Sequence, residues 1–340
     1  MAEKISPRIA WVDFAKGLVM ILVVLGHATV YDIDLNKFIY VFHMPFFFIM
    51  AGFLLNLNKW GGVYKNFSLK LFKRLLVPYY LANFLWYPFL VAKEACFGHL
   101  LKIIFYISPV NQFLGIFAGH PIFLPLGPLW FLPCLFVAEI IFIRLYNRLA
   151  GISTEIFVLA IALSACAGFF LRPLGYLPFG LNVALIAQIF LLAGILIRRH
   201  NIVEGITSKL CGGLTLLLVL AFQFNERVEM SFTTFGEPLL FYSGAVAGSL
   251  LVMKFSALMT DGRIFSLISD CGRQSMMILV LHPLIIELLF NVLVRNNFAT
   301  LAEIYEMPIF IVLSTATGVL IPLFIAKKFG KLPVLKYFCA

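Results

Sequence analysis

The feature that most constrains this chain is a succession of apolar stretches of about 20 residues, the length that an α-helix needs to cross a bilayer. Because a helix satisfies its own backbone hydrogen bonds in lipid, such stretches predict membrane-spanning helices. The windows, with approximate ends, are about 10–30, 38–56, 75–92, 128–146, 152–171, 178–197, 210–225, 236–253, 275–294 and 307–326. Pro109 and two glycines interrupt a further apolar stretch over 99–118, which we interpret as an interfacial or re-entrant element.

The basic residues support this count. When the amino terminus is placed in the cytoplasm and the helices alternate, all but six of the 26 lysine and arginine residues fall on the inner side. Those on the outer side are Lys37, Lys93, Lys102, Arg172, Arg227 and Arg295. An omitted helix would invert every later segment and destroy this pattern. We therefore predict an all-α, polytopic membrane helix bundle of about ten transmembrane helices with both termini in the cytoplasm.

Composition agrees with a bilayer environment. Only 12% of the residues are charged, against about 25% in soluble domains, and 62% are hydrophobic. The net charge of +10 is accounted for by the inner connections, so it indicates no nucleic-acid partner. The six cysteines contain no CxxC pair, and we expect no metal site. We expect residues 1–340 to form one integral-membrane domain with no appended soluble domain.

Titratable groups at membrane depth are few, and each is a candidate functional residue because burying a charge in lipid is unfavourable. The first helix carries three of them, Asp13, Lys16 and His27, in "DFAKGLVMILVVLGH". Lys16 and His27 are separated by three turns, or about 16 Å along the axis, and therefore lie on one stripe of the helix. The alternative is that Asp13 and Lys16 simply pair, or that Lys16 extends to the inner headgroups.

Further candidates lie in later segments. His43 precedes Pro45 at a depth similar to that of His27, so the two rings can meet; its alternative role is to cap the helix near the proline. Trp130 is either an anchor in the interfacial aromatic belt or a substrate contact. His282, directly before a proline in "SMMILVLHPLIIE", is the third histidine at depth.

Four stretches together resemble the acyltransferase-3 family, the multi-pass membrane O-acyltransferases that modify bacterial glycans. They are "WVDFAKGLVMILVVLGH", "FHMPFFFIMAGFLL", "GPLWFLPCLF" and "SMMILVLHPL", and they occur in the expected order. The resemblance is closest to the fucose 4-O-acetylase-like subgroup. The family pattern of a basic residue, ten residues and a histidine corresponds to Lys16 and His27. Many members have arginine where this chain has Lys16 and His43.

The resemblance implies a multi-pass protein of the bacterial inner membrane that transfers an acyl group, usually acetyl, from cytoplasmic acyl-CoA to a glycan or lipid-linked saccharide. A sugar hydroxyl needs a base, and histidine has a suitable unperturbed pKa. His27 is therefore expected to be the general base or a transient acyl carrier. Asp13 and His43 are expected to join it in catalysis, Lys16 and Arg74 to contact acetyl-CoA or another acyl-CoA, and Trp130, Glu139 and His282 to contact the acceptor.

Two other functions fit the composition. A transporter or flippase of a lipid-linked sugar also combines about ten helices with buried titratable groups, and a non-catalytic scaffold or sensor is a third class. A transporter more often shows paired acids at the midplane or internal symmetry. Here the acids at depth, Glu139 and Glu287, lie on different helices, and the chain shows no evident repeat. We therefore favour the O-acyltransferase.

Overall fold

A computed structural model of the chain describes residues 9–29, 33–60, 64–97, 108–295 and 307–339. Within these ranges the chain is helical and forms no β-strand beyond an isolated bridge between Glu229 and Thr234. In chain order, the α-helices are α1 Ala10–Ala28, α2 Ile33–Tyr40, α3 His43–Leu54, α4 Leu57–Trp60, α5 Tyr64–Leu71, α6 Val77–Phe97, α7 Pro109–Ala118, α8 Phe131–Leu145, α9 Thr154–Phe170, α10 Leu181–Ile186, α11 Gln188–Arg199, α12 Ile202–Gly205, α13 Ser208–Phe224, α14 Pro238–Leu258, α15 Arg263–Arg273, α16 Ser275–Arg295 and α17 Pro308–Phe329.

In the described part of the chain, six helical segments are long and apolar enough to cross a membrane. They are Ala10–Ala28, Asp34–Leu54, Tyr64–Ala92, Gly127–Ala150, Pro238–Leu258 and Pro308–Phe329. The number rises to eight if each of two bent helix pairs counts as one span. The first pair is α10, with the turn before it, and α11; the second pair is α15 and α16. The apolar helices α9 and α13 are shorter, at 17 residues each. The chain is therefore an all-helical, multi-pass membrane protein.

Each of the ten windows read from the sequence overlaps one of these helices. Two of the windows coincide with α9 and α13, and these helices are too short to count as membrane spans by length alone. The count of ten crossings therefore stays a prediction, as does the cytoplasmic location of the termini. The stretch over 99–118 is described only from residue 108. There α7 begins with Pro109, and the Ser108 hydroxyl caps the helix by accepting a hydrogen bond from the Asn111 N–H at 3.2 Å. Residues 99–107 lie outside the described residues.

The described chain packs as two compact units, which we treat separately. The first comprises Met1–Phe47, Ile197–Val228 and Gly236–Ala340, and the second comprises Phe48–Leu196 and Glu229–Phe235, in each case as far as the residues are described.

The first unit is organised around α1, which packs against α14, α15, α16 and α17. Glycines bring the backbones of α1 and α15 together. A Cβ atom at Gly17 would overlap the carbonyl oxygen of Ile268, and one at Gly272 would overlap the carbonyl oxygen of Asp13. The Phe14 ring stacks on Phe265 with centroids 5.1 Å apart. Small residues permit this close helix approach, which holds the Lys16 end of α1 in place.

A bend of 85° separates α15 from α16. Asp270 on α15 forms ion pairs with Arg273 and with Lys327 of α17, so charged side chains join the start of the bend to the end of the last helix. Exposed Ile264 and Leu267 lie on the same helix. This combination of charged and apolar faces is typical of a helix that lies along a membrane surface.

In the second unit, the later half of α3 crosses α11 at glycines. A Cβ atom at Gly52 would overlap the Leu191 carbonyl oxygen, and one at Gly194 would overlap that of Ile49. The side-chain amide of Gln188, at the start of α11, donates to the Ala138 carbonyl of α8 at 3.1 Å. A short 3₁₀ turn, Gly127–Trp130, leads into α8. The resulting bundle fixes the positions of residues on α8.

Candidate active site

His27 lies in the last turn of α1 and is half-buried. The helix ends one residue later, where the Thr29 hydroxyl donates to the Leu25 carbonyl at 2.9 Å. Lys16 is half-buried and Asp13 is buried on the same uninterrupted helix. The structure therefore places Lys16 and His27 on one helix, about 16 Å apart along its axis, as the sequence predicts.

A second imidazole lies directly beside His27. The His282 ring of α16 meets the His27 ring edge-on, with centroids 5.1 Å apart, and is fully buried. Its Nδ1 lies 2.8 Å from the Ile278 carbonyl oxygen. Because a carbonyl oxygen can only accept, this contact assigns the proton to Nδ1 and leaves a lone pair on Nε2. That Nε2 has no hydrogen-bond partner among the described residues.

Helix α17 provides the room that His282 needs. A Cβ atom at Gly318 would lie 2.8 Å from Cγ1 of Val24 and 3.6 Å from the His282 Cβ, so a glycine there lets α1, α16 and α17 approach closely. One turn earlier on α17, Ser314 is also fully buried, and its hydroxyl has no partner within the described ranges. Helix α17 therefore carries a buried polar group one turn from the glycine that contacts His282.

His43 is the first residue of α3 and is buried. Its Nδ1 lies 3.1 Å from the Ile39 carbonyl oxygen, so this ring also carries its proton on Nδ1. The ring contacts Tyr40 with centroids 4.4 Å apart, and the Tyr40 ring lies beside Gly26, the residue before His27. The structure therefore brings His27, His43 and His282 together in the first unit.

Asn36 is a residue of this site that the sequence alone did not single out. It lies on α2, is 1% exposed, and its amide donates to the Gly26 carbonyl at 2.8 Å. Its Oδ1 has no partner in the described chain. Gly26 fits closely under α2, since a Cβ atom there would lie 3.1 Å from the Tyr40 ring. Asn36 thus ties α2 to the turn of α1 that carries His27.

The remaining candidates belong to the second unit. Glu139 of α8 is 2% exposed, and its Oε1 accepts from the Arg74 guanidinium at 2.6 Å. The Arg74 side chain as a whole is 55% exposed, although its guanidinium bonds the buried Glu139. Removing one partner of a buried pair leaves an uncompensated charge, so this pair also has a structural role.

Trp130 ends the 3₁₀ turn before α8 and is only 6% exposed. Its ring meets Phe131 and Tyr176 edge-on, with centroids 6.2 Å away in both cases. A side chain so enclosed by protein does not have the lipid-facing position of a belt anchor. Its predicted substrate contact stays a prediction.

One comparison with known proteins returned a match. The family described as an acyltransferase domain, Acyl_transf_3, matches residues 9–327, which is nearly the whole chain and includes every candidate residue above. No curated protein and no solved structure matches the chain.

Proposed function

Because this chain belongs to the Acyl_transf_3 acyltransferase family, we propose that it is a membrane O-acyltransferase that moves an acyl group, most simply acetyl, from acyl-CoA to a hydroxyl of a cell-surface or exported glycan. Family membership and the apolar helices make it a membrane acyltransferase. The observation that supports hydroxyl activation is the contact of half-buried His27 with buried His282. The membrane is the bacterial inner membrane in this proposal.

The reaction needs a base because a sugar hydroxyl is a weak nucleophile at neutral pH. The hydroxyl oxygen attacks the thioester carbonyl carbon while its proton passes to a ring nitrogen of His27. The C–S bond then breaks, and the thiolate of coenzyme A leaves and receives that proton. Thioester and alcohol become ester and thiol, with no redox change and no metal required.

His282 acts through His27 in this proposal. Its Nε2 lone pair is the one acceptor that the Nδ1–Ile278 bond leaves open, and the His27 and His282 rings meet edge-on. If Nε2 accepts the N–H of His27, the other nitrogen of His27 is fixed as the proton acceptor. This is the logic by which a buried partner orients a catalytic histidine. His43, with its proton on Nδ1, adds a second buried neutral ring to the set.

We assign the donor to the Lys16 end of α1. Acyl-CoA is anionic, and a lysine at the proposed cytoplasmic mouth of the helix provides a point charge for its phosphates or thioester, with Asp13 one turn earlier on the same helix. Arg74, whose side chain is 55% exposed, stays a predicted contact of acyl-CoA. Lysine cannot form the bidentate contact of an arginine, so we expect Lys16→Arg to bind acyl-CoA at least as tightly as the unchanged protein.

The test is acyl transfer by purified protein in liposomes. Radiolabelled acetyl-CoA and surface polysaccharide from a host lacking the gene are supplied, and ester-linked label and free coenzyme A are measured. We expect His27→Ala to lower the transfer rate by about 10²-fold or more, because general-base catalysis contributes about 10²–10⁴-fold. His200→Ala is the matched control, since His200 is exposed and follows α11.

Two results would contradict the proposal. Transfer by His27→Ala at the unchanged rate removes the catalytic role of His27. If the unchanged protein releases no coenzyme A with any polysaccharide, while cells without it fail to export a glycan, the transporter replaces the acyltransferase. Label that remains on the protein after acid quenching, and disappears in His27→Ala, makes His27 an acyl carrier instead of a base.

A further inference from the structure

Three aromatic side chains of the second unit form a cluster of their own. We name His120, Trp130 and Tyr176 the loop cluster. The His120 and Tyr176 rings meet edge-on with centroids 5.2 Å apart, and the Tyr176 and Trp130 rings do so at 6.2 Å. His120 lies between α7 and α8, and Tyr176 lies between α9 and α10. In the topology predicted from the sequence, both connections face the outer side.

The two loops are held in place by buried amides. Asn182 is fully buried and donates to the Gly175 carbonyl at 2.8 Å, while its Oδ1 accepts from the Leu177 N–H at 3.4 Å. These bonds bracket Tyr176. In the other loop, the Leu126 N–H donates to Asn83, which is also fully buried. The cluster is therefore part of an anchored structure.

The Tyr176 hydroxyl has room only because residue 180 beside it is a glycine. A Cβ atom at Gly180 would lie 2.7 Å from this oxygen and 3.1 Å from the Cys134 sulfur. Gly180 has a φ of 62°, a left-handed conformation that glycine adopts without strain. Glycine here leaves space beside the hydroxyl.

Two polar atoms of the loop cluster are buried without a hydrogen-bond partner among the described residues. They are the Tyr176 hydroxyl and Nδ1 of His120. Burial raises the pKa of the Tyr176 phenol well above its usual value, and burial also lowers the pKa of the His120 imidazole. Both groups are therefore neutral at pH 7. A buried polar group without a partner destabilises a fold, so its persistence calls for a ligand or a water.

We propose that the loop cluster is a binding subsite for a neutral pyranose ring of the acceptor glycan, an assignment that rests on the proposed function. Sugars present both C–H faces, which pack against aromatic rings, and hydroxyls, which both donate and accept hydrogen bonds. A phosphate would need cations, and the three side chains carry no charge. An acyl chain would leave the phenol and the imidazole unpaired. A sugar is the class that uses every group of the cluster.

The first experiment measures sugar binding without catalysis. Saturation-transfer NMR on purified protein in detergent uses a panel of neutral methyl pyranosides, with cyclohexanol as an apolar probe of the same ring size. We expect at least one pyranoside, and not cyclohexanol, to receive saturation. Tyr176→Phe is expected to weaken its binding about tenfold, the effect of one lost hydrogen bond that leaves a partner unpaired. Tyr146→Phe is the control, because Tyr146, like Tyr176, meets an aromatic ring edge-on (that of Phe157), but it follows α8 at its far end.

Stability separates a binding role from a structural one. Tyr176→Phe removes a hydroxyl that has no partner in the part of the chain that the structure describes, so without sugar it is expected to unfold at the same or a higher temperature than the unchanged protein. A lower unfolding temperature makes the hydroxyl structural and contradicts the proposal. Binding of no pyranoside, or equal binding by Tyr176→Phe and a second variant, His120→Leu, contradicts it too.

Turnover identifies which of the two proposals fails. Tyr176→Phe is expected to raise the KM for polysaccharide about tenfold and to leave the Kd for acyl-CoA unchanged. If pyranosides bind and the unchanged protein transfers no acyl group, the proposed function fails and the sugar site loses its role as an acceptor subsite. If the unchanged protein transfers acyl groups and Tyr176→Phe leaves the KM for polysaccharide unchanged, the assignment of the loop cluster as a sugar subsite is wrong. The proposed acyltransferase function is then retained.

Discussion

At the scale of single residues, the lone pair on His282 Nε2 is the group with the clearest chemical consequence. The ring is locked by its bond to Ile278, and Pro283, which follows it, has no N–H to donate to the Leu279 carbonyl. A ring held in this way has one free nitrogen with a fixed direction. In the proposed mechanism, His282 is therefore a positioning residue for His27, whose ring it meets edge-on.

Substitution of His282 tests that role. We expect His282→Leu to lower kcat about 10- to 100-fold and to leave the KM for acyl-CoA within about twofold, as when a supporting partner of a reactive group is removed. His282→Gln restores an acceptor oxygen and is expected to recover part of the rate. Assays of acyl transfer in liposomes, with His200→Leu as the control, measure both constants. Equal rates for the Leu and Gln variants would show that only packing matters.

The residues that the sequence singles out and those that only the structure brings to notice differ for a physical reason. His27, His43 and His282 stand out because titratable groups are rare in apolar helices. Asn36, His120 and Tyr176 lie in short or irregular segments, where polar residues are common and sequence does not show which are buried. Burial there depends on α2 covering Gly26 and on the loop amides, which are tertiary features.

At the scale of helices, the amphipathic α15 is the longest element that the sequence windows overlooked. A 20-residue hydropathy window averages its charged and apolar faces, so residues 254–274 read as an inner connection. Apolar residues at Ile264, Phe265 and Ile268 follow the helical repeat and would have predicted the helix. The bend after it and its glycine contact with α1 depend on packing and have no local signal.

The contact between α1 and α15 gives a prediction for stability. Gly272→Val places side-chain atoms where the Asp13 carbonyl lies, so α1 and α15 must separate. We expect the free energy of unfolding to fall by about 1–3 kcal/mol or more. Thermal unfolding in detergent measures it. The control is Gly213→Val on α13, where an added Cβ meets nothing within 4 Å. Equal unfolding temperatures for the two variants would contradict the backbone contact.

At the scale of the whole molecule, the sequence predicted an all-helical membrane protein correctly, because the length of an apolar stretch and the bilayer thickness are directly related. The number of crossings is less directly encoded. The helices α9 and α13 are 17 residues long, and two other segments bend, so length alone yields six to eight spans. The bias of lysine and arginine is the independent reason to expect ten.

Cysteine labelling tests the topology. In a background without the native cysteines, a membrane-impermeant maleimide is applied to intact and to permeabilised cells. We expect Asp34→Cys to react in intact cells and Phe329→Cys only after permeabilisation, because the ten-helix topology places them on opposite sides. Both native side chains are exposed, so the substituted thiols are accessible. Labelling of both from the same side excludes an odd number of crossings between them, and with it the count of ten.

The close contact of Gly17 with α15 also determines how the sequence of α1 can vary. Where one backbone lies directly against another, there is no room for any side chain. Replacing Gly17 or Gly272 is therefore not tolerated, and replacing both together is not tolerated either. At the other end of α1, the atoms nearest to a Cβ at Gly26 belong to the side chains of Ile39 and Tyr40, which can change size together with their surroundings. The sequence near the first turns of α1 is therefore constrained, and the sequence around its last turn is free to vary. Accumulated substitutions can change the side chains around His27 while the position of Lys16 stays the same.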